Sequence, residues 1–235
     1  MNIKAILFDL DGTLLPMDQE AFTRAYFKEL ATVISPLGIE PKKLVDIVWA
    51  GTYAMVKNNG LQTNESVFWK TFADLSGGNL NIFKPACDRF YSNEFHRAKV
   101  CTGENPLALE AVRLAHANGR KVILASNPIF PLAGHASRLS WIGLKPEDFD
   151  MVTSYETDRY CKPNPAYYSD ICARIDIPPE ECLMIGNDET EDMLAASSIG
   201  MNAFWVKDCM IPSKNGHWTG SEGTFAELIE YIKNI

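Results

Sequence analysis

Two aspartates follow the first apolar segment of the chain, in the stretch "AILFDLDGTLL" at residues 5–15. Asp9 and Asp11 are separated by one leucine and are followed by Gly12 and Thr13. Aspartate is depleted in strands, and two neighbouring carboxylates repel each other and are costly to desolvate. A hard cation relieves this repulsion, and Mg²⁺ is typically held by one or two carboxylates together with waters and a phosphate. If further carboxylates gather in the same pocket, the pair indicates a site with the oxygen ligands that Mg²⁺ prefers.

Three more polar clusters have side chains suited to the same chemistry. Ser126 and Asn127 follow "KVILA", Lys162 lies in "RYCKPNP", and Asp188 and Asp192 lie in "GNDETED" after "CLMIG". A hydroxyl and an ammonium can hold phosphoryl oxygens while a cation neutralises another. Taken alone, the last two aspartates also fit an acidic helix N-terminus, and the lysine also fits a solvated surface. The ordered set of clusters favours a shared site.

The elements that must position these residues alternate between strand and helix. Strand patterns are predicted at residues 3–8, 121–126, 149–153, 182–186 and 202–206. Helical patterns are predicted at 104–118 and 132–141. Further helices are predicted to begin near Pro165, to end at Ser198 after the strand at 182–186, and to follow a capping box formed by Thr224 and Glu227. This alternation predicts an α/β fold with a doubly wound parallel sheet. Ligands of such sheets bind outside the carboxyl ends of the strands, where three of the polar clusters fall.

A helical insert, residues 17–99, interrupts this pattern after the first strand. Its helices are predicted from an Asp18 cap, from Pro41, after Asn64 and through residues 83–91. We therefore expect an α/β core formed by residues 1–16 and 100–235 and a separate helical domain formed by the insert. The insert's aromatic residues occur at helical spacing and are expected to be mostly core: Trp49, Tyr53, Phe68 and Trp69.

Composition excludes several classes of function for this chain of 235 residues. A net charge of −8 and a pI near 5.1 leave no basic surface for nucleic acid. No apolar run is long enough to cross a membrane, and no secretory signal pattern opens the chain, so a cytoplasmic monomer or homodimer is expected. The six cysteines form no C-x-x-C pair and are expected to be mostly buried, reduced thiols. His96 and His135 are expected to be surface or hydrogen-bonded groups, not catalysts.

In order along the chain, "DLDGT", "SN" after a strand, "KPNP" and "GNDETED" after a strand resemble the four motifs of the haloacid dehalogenase (HAD) superfamily. The resemblance extends from Asp9 to Asp192. The position and the helical sequence pattern of the insert resemble the C1 cap of the branch that includes phosphoglycolate phosphatases and β-phosphoglucomutases. The resemblance implies a HAD-like, Rossmannoid core and a phosphoric monoester hydrolase that acts on a small phosphorylated metabolite.

The resemblance also implies roles for the first motif. Asp9 would attack phosphorus to form an aspartyl-phosphate and would ligate Mg²⁺. Asp11 would protonate the leaving oxygen and then activate the water that hydrolyses the intermediate, while its backbone carbonyl touches the metal. Thr13 would support the loop. Because Asp11 must arrive protonated, a raised pKa is expected, and the neighbouring carboxylate is one source of it.

The remaining motifs would complete the phosphate and metal sites. Ser126 and Lys162 would bind the phosphoryl group, with loop contacts from Asn127. Asp188 would complete the metal site, and Asp192 would be a further or more distant ligand. In this chain Asn187 precedes Asp188 at the fourth motif, so the amide is an adjacent candidate ligand.

Three alternatives remain open at this point. A dehalogenase attacks carbon and would need neither the metal nor Asp11, so Asp11 argues against it. A mutase would use the same aspartyl-phosphate and both aspartates but return the phosphoryl group to a sugar phosphate. A non-catalytic phospho-ligand-binding protein should have lost one of the key residues, and none is lost.

Overall fold

A parallel sheet forms the centre of the fold. The computed structural model describes residues 2–117 and 119–235, so the predicted helix end at residue 118 and the predicted core residue 1 lie outside the described residues. Within them the sheet has six strands in the order β3-β2-β1-β4-β5-β6, every neighbouring pair being parallel. The strands are β1 (Ala5–Phe8), β2 (Lys121–Leu124), β3 (Met151–Val152), β4 (Cys182–Gly186), β5 (Asn202–Val206) and β6 (Ser221–Gly223).

Helices connect and cover these strands, which confirms the predicted α/β class. In the described chain none of them is long and apolar enough to cross a bilayer. The helices are α1 (Gln19–Ile34), α2 (Pro41–Val56), α3 (Asn64–Ser76), α4 (Leu80–Ser92), α5 (Ala108–Ala117), α6 (Leu132–Trp141), α7 (Pro165–Ile175), α8 (Ala195–Ser197) and α9 (Phe225–Asn234).

Alternate residues of the central strand pack on opposite faces of the sheet. Ile6 and Phe8 belong to the apolar layer that includes α5 and α9, whereas Ala5 and Leu7 belong to the layer that includes α7. All four residues of β1 are fully buried. Burial on both faces explains why the strands consist of continuous apolar runs. Most buried apolar residues of the insert join the first of these layers, so the insert and this face of the sheet share one continuous core.

β1, β2 and α5 are shorter than predicted, and the structure differs from the predicted elements in three further places. β6 was not expected, because its three residues Ser-Glu-Gly have no apolar pattern; it forms by pairing with β5. β3 is shorter than the predicted 149–153. The helix expected after β4 begins as a π-helix, Glu189–Leu194, before α8. These differences depend on pairing and packing between distant segments, which local periodicity does not report.

The helical insert occupies the chain between β1 and β2 and contains α1 to α4. The Asp18 carboxylate caps α1 by accepting a hydrogen bond from the backbone N–H of Ala21 at 2.9 Å, as expected. The two chain segments that join the insert to the α/β core run side by side, because Met17 and Thr102 form an antiparallel bridge. The backbone N–H of Gly103 donates to the carbonyl of Pro16 at 2.8 Å.

Two aromatic residues of α2 correct the expectation that the insert's aromatic residues are mostly core. Trp49 is 51% exposed and Tyr53 is 65% exposed. Trp69 is buried as expected, and Phe68 packs against its ring in an edge-on arrangement. The face of α2 that is buried carries other residues, among them Leu44. Spacing alone therefore assigned Trp49 and Tyr53, which lie one turn apart, to the wrong face.

Candidate active site

The site lies at the carboxyl edge of the three central strands. β1 lies between β2 and β4, and Phe8 pairs in register with Leu124 and Ile185. The three strands therefore end at the same level, and the loops that follow them lie next to one another. This is the point at which the strand order reverses, where open parallel sheets bind ligands.

The loop after β1 is fixed against the loop after β4. The backbone N–H of Asp9 donates to the carbonyl of Ile185 at 2.8 Å. The Thr13 hydroxyl lies 3.3 Å from Asp9 Oδ2 and 3.2 Å from Asn187 Oδ1, within hydrogen-bond distance of both. Gly12 turns the chain with a φ of 89°, and a Cβ there would clash with the Asn187 side chain. Glycine is therefore needed at this position both for the turn and for the close approach.

Lys162 is buried at the base of the site, with 1% of its side chain exposed. Its Nζ donates to Asp9 Oδ1 at 2.9 Å and to Asp192 Oδ1 at 2.6 Å. Burial by itself would lower the pKa of Lys162, but the Asp192 and Asp9 carboxylates outweigh it and hold that pKa well above its usual value. The loop therefore presents a charged ammonium to the first aspartate. A solvated surface lysine, the plainer alternative, does not describe this residue.

Asp11 is paired with an arginine that the sequence did not indicate. The Arg138 guanidinium, fully buried on α6, donates to Asp11 Oδ2. Asp11 Oδ1 is buried and has no hydrogen-bond partner among the described residues. Burial raises the pKa of Asp11 to about 6, opposed by Arg138 and assisted by Asp9. A carboxyl group with a pKa near neutrality can both give and take a proton.

Arg138 is itself held by a buried cluster. Its Nε donates to the Gly134 carbonyl at 3.1 Å, and its guanidinium lies 4.3 Å from the centre of the Phe130 ring. Its NH2 group lies 2.9 Å from His135 Nδ1; because arginine only donates, Nδ1 is the acceptor and the imidazole proton is on Nε2. Burial lowers the pKa of His135 well below its usual value. The imidazole is therefore neutral.

The two histidines both match the expectation of hydrogen-bonded groups. His96 accepts a hydrogen bond from Trp141 Nε1 at 3.0 Å and is a satisfied polar group, as expected. His135 is fully buried and is hydrogen-bonded through Nδ1, which also fits the expectation, although its Nε2 has no hydrogen-bond partner within the described residues.

The loop after β4 holds its two aspartates in different ways. Asp188 Oδ1 caps the π-helix Glu189–Leu194 by accepting two backbone hydrogen bonds at 2.8 Å; no hydrogen bond to its Oδ2 is found in the described chain. Both oxygens of Asp192 are engaged: Oδ1 by Lys162, and Oδ2 by the backbone N–H of Asp188 at 3.0 Å. The Asn187 amide donates to the Cys209 carbonyl at 2.7 Å.

Ser126 and Asn127 lie in the loop after β2, as the spacing implies. The Ser126 carbonyl accepts hydrogen bonds from the hydroxyls of Thr153 at 2.7 Å and Tyr167 at 2.9 Å, which fixes the loop. Asn127 donates from its amide to Glu191 Oε2 at 3.1 Å. Its own Oδ1 is buried and lacks a hydrogen-bond partner among the residues described.

Most of the expected site residues line one cavity of about 310 Å³, called here the central cavity. It extends from the loops after β1, β2 and β4 into the helical insert. Thr13 and Lys162 are not part of its lining, but both contact Asp9 directly. The expected residues in the lining are Asp9, Asp11, Ser126, Asn127, Asp188 and Asp192, together with Asn187.

The donor atoms at the sheet end of the central cavity fit a magnesium ion better than a metal held entirely by protein. No group of three or more His, Cys, Asp or Glu side chains within the described residues has the arrangement of a metal site. Mg²⁺ needs only one or two carboxylates, since it keeps waters and binds substrate phosphate. Asp9 and Asp188 line the cavity, and Asp11 Oδ1 lacks a donor. Each oxygen of Asp192 already accepts one hydrogen bond, from Lys162 or from the backbone N–H of Asp188.

Arg138 is the main site residue that sequence reasoning missed. An arginine in the last turn of a helix is usually solvated and complements the helix dipole. Its partner Asp11 lies 127 residues away in the chain. The only local signal is the three-residue spacing from His135, which puts both side chains on one face of α6.

Comparison with known proteins agrees with this geometry. The family profile described as "haloacid dehalogenase-like hydrolase" matches residues 3–200. The phosphoglycolate phosphatase of Nitrosospira multiformis is 27% identical over 212 residues, covering 88% of this chain and 84% of that protein.

Solved structures with the same fold include enzymes of two kinds. A HAD phosphatase from Thermococcus onnurineus has a TM-score of 0.58 at 20% identity, covering 98% of each chain. A 2-haloacid dehalogenase from Pseudomonas syringae pv. Tomato DC3000 has a TM-score of 0.60 at 18% identity, covering 98% of this chain and 97% of that one. At these identities the likeness shows a shared fold only. With the family profile and the phosphatase relative, the expected class is confirmed: the chain belongs to the haloacid dehalogenase-like hydrolase family and is a phosphoric monoester hydrolase.

Proposed function

We propose that this enzyme is a Mg²⁺-dependent phosphatase that hydrolyses a small phosphorylated metabolite through an aspartyl-phosphate on Asp9. The observation that carries the proposal is the pair of carboxylates on the central cavity. Asp9 is held by Lys162, and Asp11 is poised near neutral pKa two residues away. One carboxylate is thereby fixed as a nucleophile and the other is free to exchange a proton.

In the first half-reaction, a carboxylate oxygen of Asp9 attacks phosphorus and the bond from phosphorus to the ester oxygen breaks. Protonated Asp11 gives its proton to that oxygen, which leaves as an alcohol. Lys162 and the Ser126 hydroxyl hold phosphoryl oxygens during the transfer. Catalysis of this step is largely positioning and charge stabilisation.

In the second half-reaction, the Asp11 carboxylate takes a proton from water as the water oxygen attacks phosphorus. The bond from phosphorus to the Asp9 oxygen breaks, and inorganic phosphate is released. Asp11 is left protonated for the next cycle. Arg138 donates to Asp11 Oδ2, so we assign the exchange of protons with substrate and water to Oδ1, which has no partner among the described residues.

Asp9, Asp188 and the backbone carbonyl of Asp11 are the groups we assign to Mg²⁺. Bound there, the ion would offset the negative charge of the phosphoryl group and of the carboxylate that attacks it. Of the two roles expected for Asp192, we assign it the more distant one, because its contacts orient the Lys162 ammonium. Asn187 tethers the loops after β1 and β4 instead of serving as a ligand.

We also propose that residues 17–99 act as a cap that closes over the site. Asn64 at the start of α3 is fully buried and joins the insert to the core loops. Its amide donates to the Pro128 carbonyl at 3.2 Å, and its backbone N–H donates to the Asp158 carbonyl at 2.9 Å. Such contacts support a closed arrangement that excludes bulk water from the reaction.

A mutase and a dehalogenase are weaker candidates. A mutase would use the same two aspartates, and water is the commoner acceptor in this branch of the family. A dehalogenase has no need of the proton-exchanging group at Asp11, which here has a dedicated buried partner.

The proposal is tested by release of inorganic phosphate from p-nitrophenyl phosphate. We expect turnover that needs Mg²⁺, stops in EDTA and returns when Mg²⁺ is restored. In Asp11→Asn we expect the phospho-enzyme to accumulate as a mass increase on the peptide that contains Asp9. Turnover that ignores EDTA, or a phosphoryl group trapped on another residue, would contradict the proposal. Release of halide from 2-haloacids instead of phosphate would favour the dehalogenase.

A further inference from the structure

The two ends of the central cavity differ sharply in chemistry. At the sheet end it is lined by the carboxylates and amides described above. In the insert, α1, α2, α3 and α4 line it with aromatic and aliphatic side chains. Among these are Phe27, Leu44, Val48, Phe68 and Phe72. The phosphoryl position therefore opens directly into an apolar chamber.

The polar groups of this chamber are all uncharged. Among the described residues, none of the insert side chains that line the cavity is Lys, Arg, His, Asp or Glu. The polar groups are the hydroxyls of Tyr26 and Tyr91, 3.1 Å apart and hydrogen-bonded to each other, two threonines, a glutamine and the Cys87 thiol. Burial raises the pKa of Cys87 to about 12, so the thiol is neutral. Among the described residues, no side chain of this wall carries a positive charge that could form an ion pair with an anion.

This neutrality has a consequence for the alcohol part of the substrate. A carboxylate placed in the chamber would lose its hydration and gain no cationic partner, which is strongly unfavourable. An apolar group placed there would be favourable in proportion to the area removed from water. The chamber thus discriminates between substrates that the phosphate-handling residues would treat alike.

We propose that the enzyme selects phosphate monoesters whose alcohol is apolar, a short alkyl chain or a single aromatic ring, and rejects those that carry a second anionic group. The inference rests on the proposed phosphatase function. It separates this chain from the relative named for phosphoglycolate, a substrate that carries a carboxylate beside the phosphate. The volume of about 310 Å³ is at the small end of ligand pockets, which favours a compact body over a long lipid.

Trp49 lies at the opening of the chamber. It lines the cavity and yet is 51% exposed. Its ring lies 5.7 Å from that of Phe27, centre to centre, at 48°. An aromatic pair of this kind offers a flat apolar surface against which a ring of the substrate can pack. We assign Trp49 to substrate selection, whereas Tyr53, one turn further along α2, is not part of the lining.

The test compares primary alkyl phosphates, whose leaving groups have nearly the same reactivity as that of phosphoglycolate. Phosphate release is measured with Mg²⁺ for ethyl, butyl, hexyl and 2-phenylethyl phosphate and for phosphoglycolate. We expect kcat/KM to rise roughly fourfold per added methylene until the chamber is full, as burial of each CH₂ implies. We expect phosphoglycolate to be at least about tenfold poorer than butyl phosphate. A flat or falling series, or a preference for phosphoglycolate, would overturn the inference.

Two further measurements separate this inference from the proposed function. If p-nitrophenyl phosphate is hydrolysed while the alkyl series is flat, only the inference fails. If no ester is hydrolysed, the proposed function fails, and calorimetric binding of the same phosphates still tests selection. Affinity that rises with chain length would support an apolar chamber, and affinity that does not would refute it.

Variants of α2 test the location of the chamber. Trp49→Ala should lower kcat/KM for 2-phenylethyl phosphate on the order of fivefold, mainly through KM, and change that for ethyl phosphate less than about twofold. Trp49→Phe should restore most of the loss. Tyr53→Ala is the matched control, with an exposed aromatic on the same helix, and should change neither substrate. Equal losses for Trp49→Ala and Tyr53→Ala would contradict the assignment.

Discussion

The sheet end and the insert end of the central cavity are built on opposite principles. At the sheet end almost every polar side chain has an assigned partner: Lys162 joins Asp9 to Asp192, and Arg138 holds Asp11. At the insert end the side chains are neutral and held by aromatic packing, as with the edge-on pair of Phe68 and Trp69. Ion pairs therefore hold the side chains of the sheet end in place, whereas packing between neutral side chains holds those of the insert end.

This difference separates the chemistry from the choice of substrate. The carboxylates come from loops that follow the adjacent strands β1 and β4, so the rigid sheet fixes their mutual distances. The neutral residues come from helices of the insert, so their amino-acid types can change without moving the carboxylates. An apolar wall also lowers the local dielectric, which strengthens the electrostatic interactions at the sheet end. The insert therefore supports catalysis although none of its charged residues lines the cavity within the described chain.

The largest effect is expected when the sheet end loses its nucleophile. Asp9→Asn should reduce phosphate release from p-nitrophenyl phosphate by at least about a thousandfold, because an amide cannot form the acyl phosphate. Lys162 keeps Asp192 as a partner, so the fold should survive, which circular dichroism would check. Asp46→Asn on the exposed face of α2 is the matched control. A rate above a tenth of the wild-type rate in Asp9→Asn would remove Asp9 as the nucleophile.

Much of the sheet end could be predicted from the sequence because its signals are local. Buried parallel strands are continuous apolar runs, and their carboxyl ends must meet at one edge. That rule was enough to bring Asp9, Ser126 and Asp188 to one cavity. The caps at Asp18 and Thr224 follow from residue type and spacing alone, and both form as expected.

The insert end and the buried support of Asp11 could not be predicted in the same way. Helical spacing tells that a helix has a buried face but not which neighbour covers it, so Trp49 and Tyr53 were assigned to the core. Arg138 is buried because it forms an ion pair with Asp11, which is far away in the chain. One sequence alone does not show which distant residues come into contact. The apolar chamber depends on how four helices pack, which is a property of the tertiary structure.

A smaller effect is expected when Asp11 loses its ion pair with Arg138. Arg138→Met removes the cation that lowers the pKa of Asp11, so that pKa should rise above about 6. The carboxylate form that activates water would then require a higher pH. On the acidic limb, at pH values below about 6, we expect kcat to fall by about tenfold per unit of pKa shift, with a smaller fall at neutral pH. KM should change little, and the acidic limb of the pH profile should move to higher pH.

Substitutions of two other kinds sharpen this test. Arg138→Lys keeps a cation and should restore part of kcat and of the original pH profile. Arg113→Met on the exposed face of α5 should have no effect. If Arg138→Met lowers stability but leaves the pH profile of kcat unchanged, Arg138 only packs the core and does not position Asp11.

The smallest effect is expected from a residue remote from both ends of the cavity. The Thr224 hydroxyl accepts a hydrogen bond from the backbone N–H of Glu227 at 3.3 Å, and the Glu227 carboxylate accepts one from the backbone N–H of Thr224 at 2.7 Å. Thr224→Ala should cost about 1 kcal/mol of stability and lower Tm by about 2–4 °C. Because this cap stabilises only α9, kcat/KM should not change for any of the phosphates. Thr32→Ala inside α1, where alanine is the better helix former, should not lower Tm. A change in kcat/KM for Thr224→Ala would mean that global stability, and not the local contacts of the two cavity ends, governs activity.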